Sequence, residues 1–174
     1  MQITSPDQAS FELRISGYQF PDTVGHGERD WDANWLQVHG TVTQADKKTW
    51  SFDDPCLTTW EAKALGAWLA DVAAGKVPPS PFGTDDPGSE QLLMFTEPNI
   101  AFSLERRIAD RARVRVHFSL EALPPWLQGK NRPDMFEYFV LLNVSLAELA
   151  QAADDWRLEL TRFPQRPSPS TPWQ

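Results

Sequence analysis

The chain has 174 residues, of which 41% are hydrophobic, and no apolar run of about 18 residues, so one globular domain without a membrane span is predicted. The net charge of −8 lies in the first part: residues 1–98 carry 15 acidic and 6 basic side chains, whereas residues 99–174 carry 9 and 10. The single cysteine, Cys56, excludes an internal disulfide and a cysteine-cluster metal site, and the start lacks a signal-peptide pattern, so we expect a cytoplasmic protein.

Three strands are predicted in the first part of the chain. In "SFELRIS", the apolar residues Phe11, Leu13 and Ile15 alternate with polar ones, which is typical of a strand with one buried face. The segments "NWLQVHGTVT" and "KTWSFDD" predict two more strands, joined by a connection of hairpin length at residues 44–47. The short connection indicates antiparallel neighbours in one sheet.

Two helices are predicted from their capping residues. Thr58 and Glu61 have the spacing of a capping box, in which each side chain bonds the backbone of the other residue. Ser145 and Glu148 repeat this spacing, and Gly75 ends the first helix. The predicted buried stripes are Leu65, Trp68, Leu69 and Val72 in the first helix and Leu146, Leu149, Ala150, Ala153, Trp156 and Leu160 in the second.

Four further strands are predicted between the two helices, after a loop over residues 76–90. "QLLMFTEPNIAFSLE" predicts two strands around the turn "EPN", and "FEYFVLLNV" predicts a central strand because residues 136–142 are apolar on both faces. The third strand, "RARVRVHFSLE", alternates strictly. Its inward residues are predicted to be Ala112, Val114, Val116 and Phe118, and its outward residues Arg113, Arg115 and His117.

The order of elements, βββ-α-ββββ-α, predicts an α+β fold. We expect a single large, curled, mainly antiparallel sheet of about seven strands, covered by the two helices. The domain is predicted to span residues 1–162. Residues 163–174, which contain four prolines, are predicted to form an extended and loosely attached tail.

The acidic stretch before the second strand is the first candidate for chemistry. Asp22, His26, Glu28, Asp30 and Asp32 carry groups that bind metal ions, but their spacing matches neither a calcium loop nor a zinc motif. We therefore interpret the stretch as a solvated acidic loop and predict neither a metal site nor a cofactor.

Cys56 is the second candidate, because it lies just before a helix N-terminus, where a thiolate is favoured. A histidine, namely His26, His39 or His117, would have to act as its base. The alternative is a buried, structural cysteine, and we favour it because an apolar helix follows. Similarly, the arginines of "ERRIADRARVRVH" suit either a phosphate-binding strip or ion pairs with Glu12 or Glu105, and we favour the ion pairs.

Three segments of the sequence, "YQFPD", "DANWLQV" and "DPCLTTWE", resemble the WapI-type immunity proteins of bacterial polymorphic toxin systems. The resemblance covers about the first 70 residues and implies a protein that binds a cognate toxin without catalysis or cofactor. Its matching positions, Asn34, Trp35, Leu36, Cys56 and Leu57, are interpreted as fold signatures rather than toxin contacts.

The partner implied by this resemblance is a toxin domain, and the acidic charge favours a basic one over nucleic acid. We expect two acidic loops to contact it, through Asp22, Glu28, Asp30, Asp32, Asp85, Asp86 and Glu90. The alternatives are a small enzyme using Cys56 and a non-catalytic regulatory or scaffold protein. The sequence leaves the oligomeric state open.

Overall fold

In a computed structural model that describes residues 1–25, 30–80, 91–130 and 132–166, the strands form two antiparallel sheets. The first sheet has the order β1-β2-β3-β4, with β1 at Gln2–Thr4, β2 at Ser10–Tyr18, β3 at Trp35–Thr43 and β4 at Thr49–Thr58. The second has the order β5-β6-β7, with β5 at Ile100–Ile108, β6 at Arg111–Phe118 and β7 at Phe139–Ser145. The helices are α1 at Trp31–Asn34, α2 at Thr59–Ala73 and α3 at Leu146–Leu160, with short 3₁₀ turns at Leu120–Ala122 and Pro125–Leu127.

The α+β class is confirmed, but the predicted single sheet is wrong. Aromatic rings from the inner faces of the two sheets meet in one core: Phe11 lies 6.0 Å from Phe102 and 5.7 Å from Phe118 between ring centroids. Trp50 and Phe52 of β4 also contact Phe118. Two facing sheets and one curled sheet require the same alternation of inward apolar residues, so the sequence pattern does not distinguish them.

The predicted strands of the first sheet are confirmed. Phe11 and Leu13 of β2 are fully buried, and β2, β3 and β4 pair as antiparallel neighbours. Two elements were not predicted, the three-residue strand β1 and the four-residue helix α1. Both are too short for a periodic pattern to show.

The capping boxes predicted for α2 and α3 are confirmed. The Thr58 and Ser145 side chains accept from the backbone of Glu61 and Glu148, whose carboxylates accept in return. The helices pack together, and the Trp156 indole N–H donates to the Ala62 carbonyl at 2.7 Å. The stripe of α3 differs from the prediction, because Ala152 is buried whereas Ala150 is exposed and Leu146 is half-buried. No helix in the described ranges is long and apolar enough to cross a membrane.

Two of the strands predicted for the second sheet are corrected. Before β5 there is only an isolated bridge between Leu93 and Phe102, so the predicted strand preceding "EPN" is absent from the described residues. β7 lies at the edge of its sheet, and β6 is central. In β7, Phe139 is paired opposite His117 of β6, and Leu141 opposite Arg115. These two apolar residues therefore share a face with the buried Arg115 and His117, which explains why both faces of β7 carry apolar side chains.

The outward face of β6 is the clearest exception to the predicted pattern. Val114 and Val116 are buried as expected, but Arg115 and His117, predicted to face solvent, are only 4% and 0% exposed. The Arg115 guanidinium donates to the Ser80 carbonyl at 2.9 Å and lies 3.7 Å from the Glu105 carboxylate. Arg113 pairs with Glu105 at 2.8 Å, which confirms Glu105 as a partner of these arginines.

Candidate partner-binding surface

The connection between β2 and β3, residues 19–34, carries most of the predicted acidic site and ends in helix α1. Asp30 caps this helix, since its carboxylate accepts from the Ala33 backbone N–H at 3.2 Å. Asp and Asn are favoured at such positions because they satisfy a backbone donor that has no partner within the helix. Asp30 thus holds the local backbone besides carrying a charge.

Asn34 fixes the end of the connection. It is fully buried, and its amide N–H donates to the Asp30 carbonyl at 2.8 Å and to the Arg166 carbonyl. Its amide oxygen accepts from the Thr59 hydroxyl at 2.9 Å and from the Arg166 backbone N–H at 2.8 Å. One side chain therefore joins the connection, the start of α2 and the C-terminal segment.

The C-terminal segment holds the other half of the connection. The Arg166 guanidinium lies 3.4 Å from the centroid of the Tyr18 ring and donates to the carbonyls of Phe20, Pro21 and Thr23 at 3.0–3.4 Å. Burial raises the pKa of the Tyr18 hydroxyl, and the charge of Arg166 opposes that rise. The start of the predicted tail, residues 163–166, therefore contacts the folded domain, whereas residues 167–174 lie outside the described residues and the tail stays a prediction.

Three tryptophan rings contact one another next to Asn34 in the chain and at the start of α2. The Trp31 ring of α1 packs edge-on against Trp60 of α2, with centroids 5.0 Å apart, and lies 5.9 Å from Trp35 at the start of β3. Trp31 is 43% exposed, while Trp35 and Trp60 are half-buried. We call these three residues the tryptophan patch.

Three of the seven predicted acidic contacts, Asp22, Asp30 and Asp32, lie in the described residues. Asp22 and Asp32 are exposed on the connection, on either side of Trp31 in sequence, and Asp30 is half-buried as the helix cap. Four of the predicted contacts, Glu28, Asp85, Asp86 and Glu90, lie outside the described residues. Within the part of the chain that is described, no group of three or more His, Cys, Asp or Glu side chains is placed to hold a metal ion.

A second acidic region was missed in the sequence. Burial, followed by the charges of Glu121 and Glu97, raises the pKa of Asp54 on β4, so these three carboxylates lie near one another. They come from separate segments of the chain, and their proximity has no local signal. Trp126, which is 45% exposed, packs edge-on against Trp50 of the same strand β4, with ring centroids 5.6 Å apart.

Cys56 has the environment of a structural residue. It lies in β4, two residues before the cap of α2, and is fully buried. Burial and the charge of Asp54 raise the pKa of its thiol, so the thiolate is disfavoured. These features are the opposite of what a cysteine nucleophile requires.

The two described histidines also have defined partners. His117 Nδ1 lies 2.7 Å from the Phe136 carbonyl, to which it must donate, and Nε2 accepts from the Ser103 hydroxyl at 2.9 Å. Burial lowers the pKa of His117 to about 4, which keeps the ring neutral. His39 lies on the outer face of the first sheet, 2.9 Å from Asp53 and 3.2 Å from Thr41. The third histidine, His26, lies outside the described residues.

Exposed aromatic side chains such as that of Trp31 are enriched in surfaces that bind another protein. A protein-family model, that of the immunity protein WapI-like family, matches residues 2–164. The chain belongs to this family, which confirms the resemblance seen in its first 70 residues and indicates an immunity function against a toxin. Searches of curated proteins and of solved structures found no match.

Proposed function

We propose that this protein is a cytoplasmic immunity protein that binds a cognate toxin domain stoichiometrically and blocks it without catalysis. The observation that carries the proposal is the family match, which spans residues 2–164. The buried thiol of Cys56 supports a non-catalytic role, since the sequence offered no stronger nucleophile.

The charge of the chain supports a basic partner. Carboxylates on the β2–β3 connection, Asp22, Asp30 and Asp32, would face basic groups of the toxin, together with Glu28 and with the second loop at Asp85, Asp86 and Glu90. A nuclease suits this surface, because its active-site cleft attracts phosphates and carboxylates can take their place. Nucleic acid and membranes are not proposed as ligands.

Co-expression tests the proposal directly. The probe is the C-terminal domain of the protein encoded immediately upstream, expressed with and without this chain. We expect growth to be restored only when the chain is present and a complex of defined stoichiometry in light scattering. The affinity should fall as salt rises from about 50 to about 500 mM, because surface charges are screened. A toxic domain that neither binds this chain nor is neutralised by it would refute the proposal.

A further inference from the structure

Three large apolar side chains of the β2–β3 connection are exposed to solvent. Phe20 is 42% exposed, Val24 75% and Trp31 43%, so three of the large exposed apolar side chains lie within twelve residues of one another. Single exposed apolar residues are common on protein surfaces, but clustered ones mark interaction sites. Among the described segments, this connection is therefore the one that we most expect to make apolar contacts with a binding partner.

The tryptophan patch is also held in place before any partner arrives. Trp31 lies on a helix capped by Asp30, packs against Trp60 and is followed by the buried Asn34, which bonds both α2 and the C-terminal segment. An anchor fixed in advance loses little conformational entropy on binding. Tryptophan is accordingly among the residues that most often dominate interface energetics.

The charges of the connection that carries Trp31 favour a cationic group on the partner. Asp22 and Asp32 are exposed, and within the described ranges neither carboxylate has an ion pair. The guanidinium of Arg166, which contacts the same connection, is occupied by the Tyr18 ring and by three backbone carbonyls. An arginine of a partner fits best, since its planar group stacks on an indole and also pairs with a carboxylate.

We propose that the tryptophan patch is the energetic centre of the toxin-binding surface, and that Trp31 stacks against an arginine side chain of the toxin domain with Asp32 beside it. This inference rests on the proposed function and adds its contact site. It assigns to Trp31 a larger share of the affinity than to any of the surrounding carboxylates.

The test compares two tryptophans of nearly equal exposure by calorimetry with the toxin domain encoded upstream. Trp31→Ala should weaken binding by about 30-fold or more, and Trp31→Phe by less, because a smaller aromatic ring remains. Asp32→Asn should weaken binding by about 3- to 10-fold and reduce its salt dependence. Trp126→Ala, which removes a ring that packs against Trp50 rather than against the patch, should leave the affinity within about twofold.

A footprint of the wild-type complex makes the test independent of how the variants fold. In hydroxyl-radical oxidation, Trp31 should become protected on complex formation and Trp126 should stay reactive. Binding that is retained by Trp31→Ala, or protection of Trp126 instead of Trp31, overturns the patch while leaving the immunity function intact. If the wild-type chain does not bind the toxin domain at all, the proposed function itself fails.

Discussion

The backbone N–H of Arg166 donates to the side-chain oxygen of Asn34 at 2.8 Å, although 132 positions separate the two residues in the chain. The same Asn34 amide donates back to the Arg166 carbonyl. The side chain of Asn34 and the backbone of Arg166 thus form two reciprocal hydrogen bonds, like those between paired residues of antiparallel strands. Three parts of the molecule, the β2–β3 connection, α2 and the C-terminal segment, depend on this buried amide.

Asn34→Ala should therefore destabilise the fold far more than an average substitution. It leaves the buried Thr59 hydroxyl and the Arg166 backbone N–H without this acceptor, and we expect the free energy of unfolding to fall by about 2–3 kcal/mol. Urea unfolding measures the loss. Arg166→Ala is the comparison, because it keeps the backbone bonds and should cost only about 1 kcal/mol. Equal effects of the two variants would contradict the central role of Asn34.

A close approach between Gly40 and Phe52 gives a second prediction. These residues are paired across β3 and β4, and a Cβ on Gly40 would lie 2.2 Å from two ring carbons of Phe52, which is itself buried. Gly40→Ala should lower the free energy of unfolding by about 2–3 kcal/mol, because the ring has to move within a packed core. The midpoint of urea unfolding measures this loss.

Gly17 offers the matched control for that substitution, since nothing lies within 4 Å of the position where its Cβ would be. Gly17→Ala should change stability by less than about 0.5 kcal/mol or raise it slightly, because alanine restricts the unfolded chain. A comparable loss in both variants would show that backbone freedom, rather than the Phe52 ring, explains the glycine at position 40.

His117 should make stability depend on pH. Its pKa falls from an ordinary 6.5 to about 4 in the folded protein because the ring is buried. Between pH 6.5 and about 4, the unfolded chain binds a proton at this histidine that the folded protein does not bind. The stabilisation is therefore complete above pH 6.5 and is lost as the pH falls towards 4. At low pH the loss would reach about 3 kcal/mol.

Urea unfolding between about pH 7.5 and 5 measures this slope before most carboxylates titrate. In His117→Gln, which does not titrate, the slope over that interval should become markedly shallower. A variant that keeps the wild-type slope would show that the acid sensitivity arises elsewhere.

The thiol of Cys56 should be unreactive in the folded protein. Its thiol is fully buried and its pKa is raised, so a thiol reagent at neutral pH should react only as fast as the protein unfolds. Cys56→Ala should retain toxin neutralisation in co-expression. Fast labelling of the native protein, together with loss of function in Cys56→Ala, would instead favour the enzyme hypothesis.

The elements that could be predicted are those whose signals are local. Alternation placed Phe11 and Leu13 inside β2, and three-residue spacings identified the capping boxes at Thr58 and Ser145, because the groups involved are neighbours in the chain. The division into two sheets could not be predicted, since it depends on Phe11 meeting Phe102 and Phe118 across the core.

The candidate surface was predictable only in its composition. The acidic residues around Asp32 stood out in the sequence, and Trp31 and Trp35 were visible next to them. Their arrangement depends on Trp60 in another element and on Arg166 far along the chain, and such long-range contacts have no periodic signature. The burial of Arg115 was missed for the same reason, because the Ser80 carbonyl that bonds it comes from a distant segment.

The contacts of Arg166 also bear on the order in which parts of this chain fold during synthesis. A ribosome releases the chain from its N-terminus, so both sheets and α2 leave the exit tunnel before residue 166 does. Until then, the carbonyls of residues 20–23 and the Asn34 amide lack their partner. In a nascent chain, the contacts that fix the backbone around Trp31 would accordingly form only after both sheets and α2 have left the tunnel.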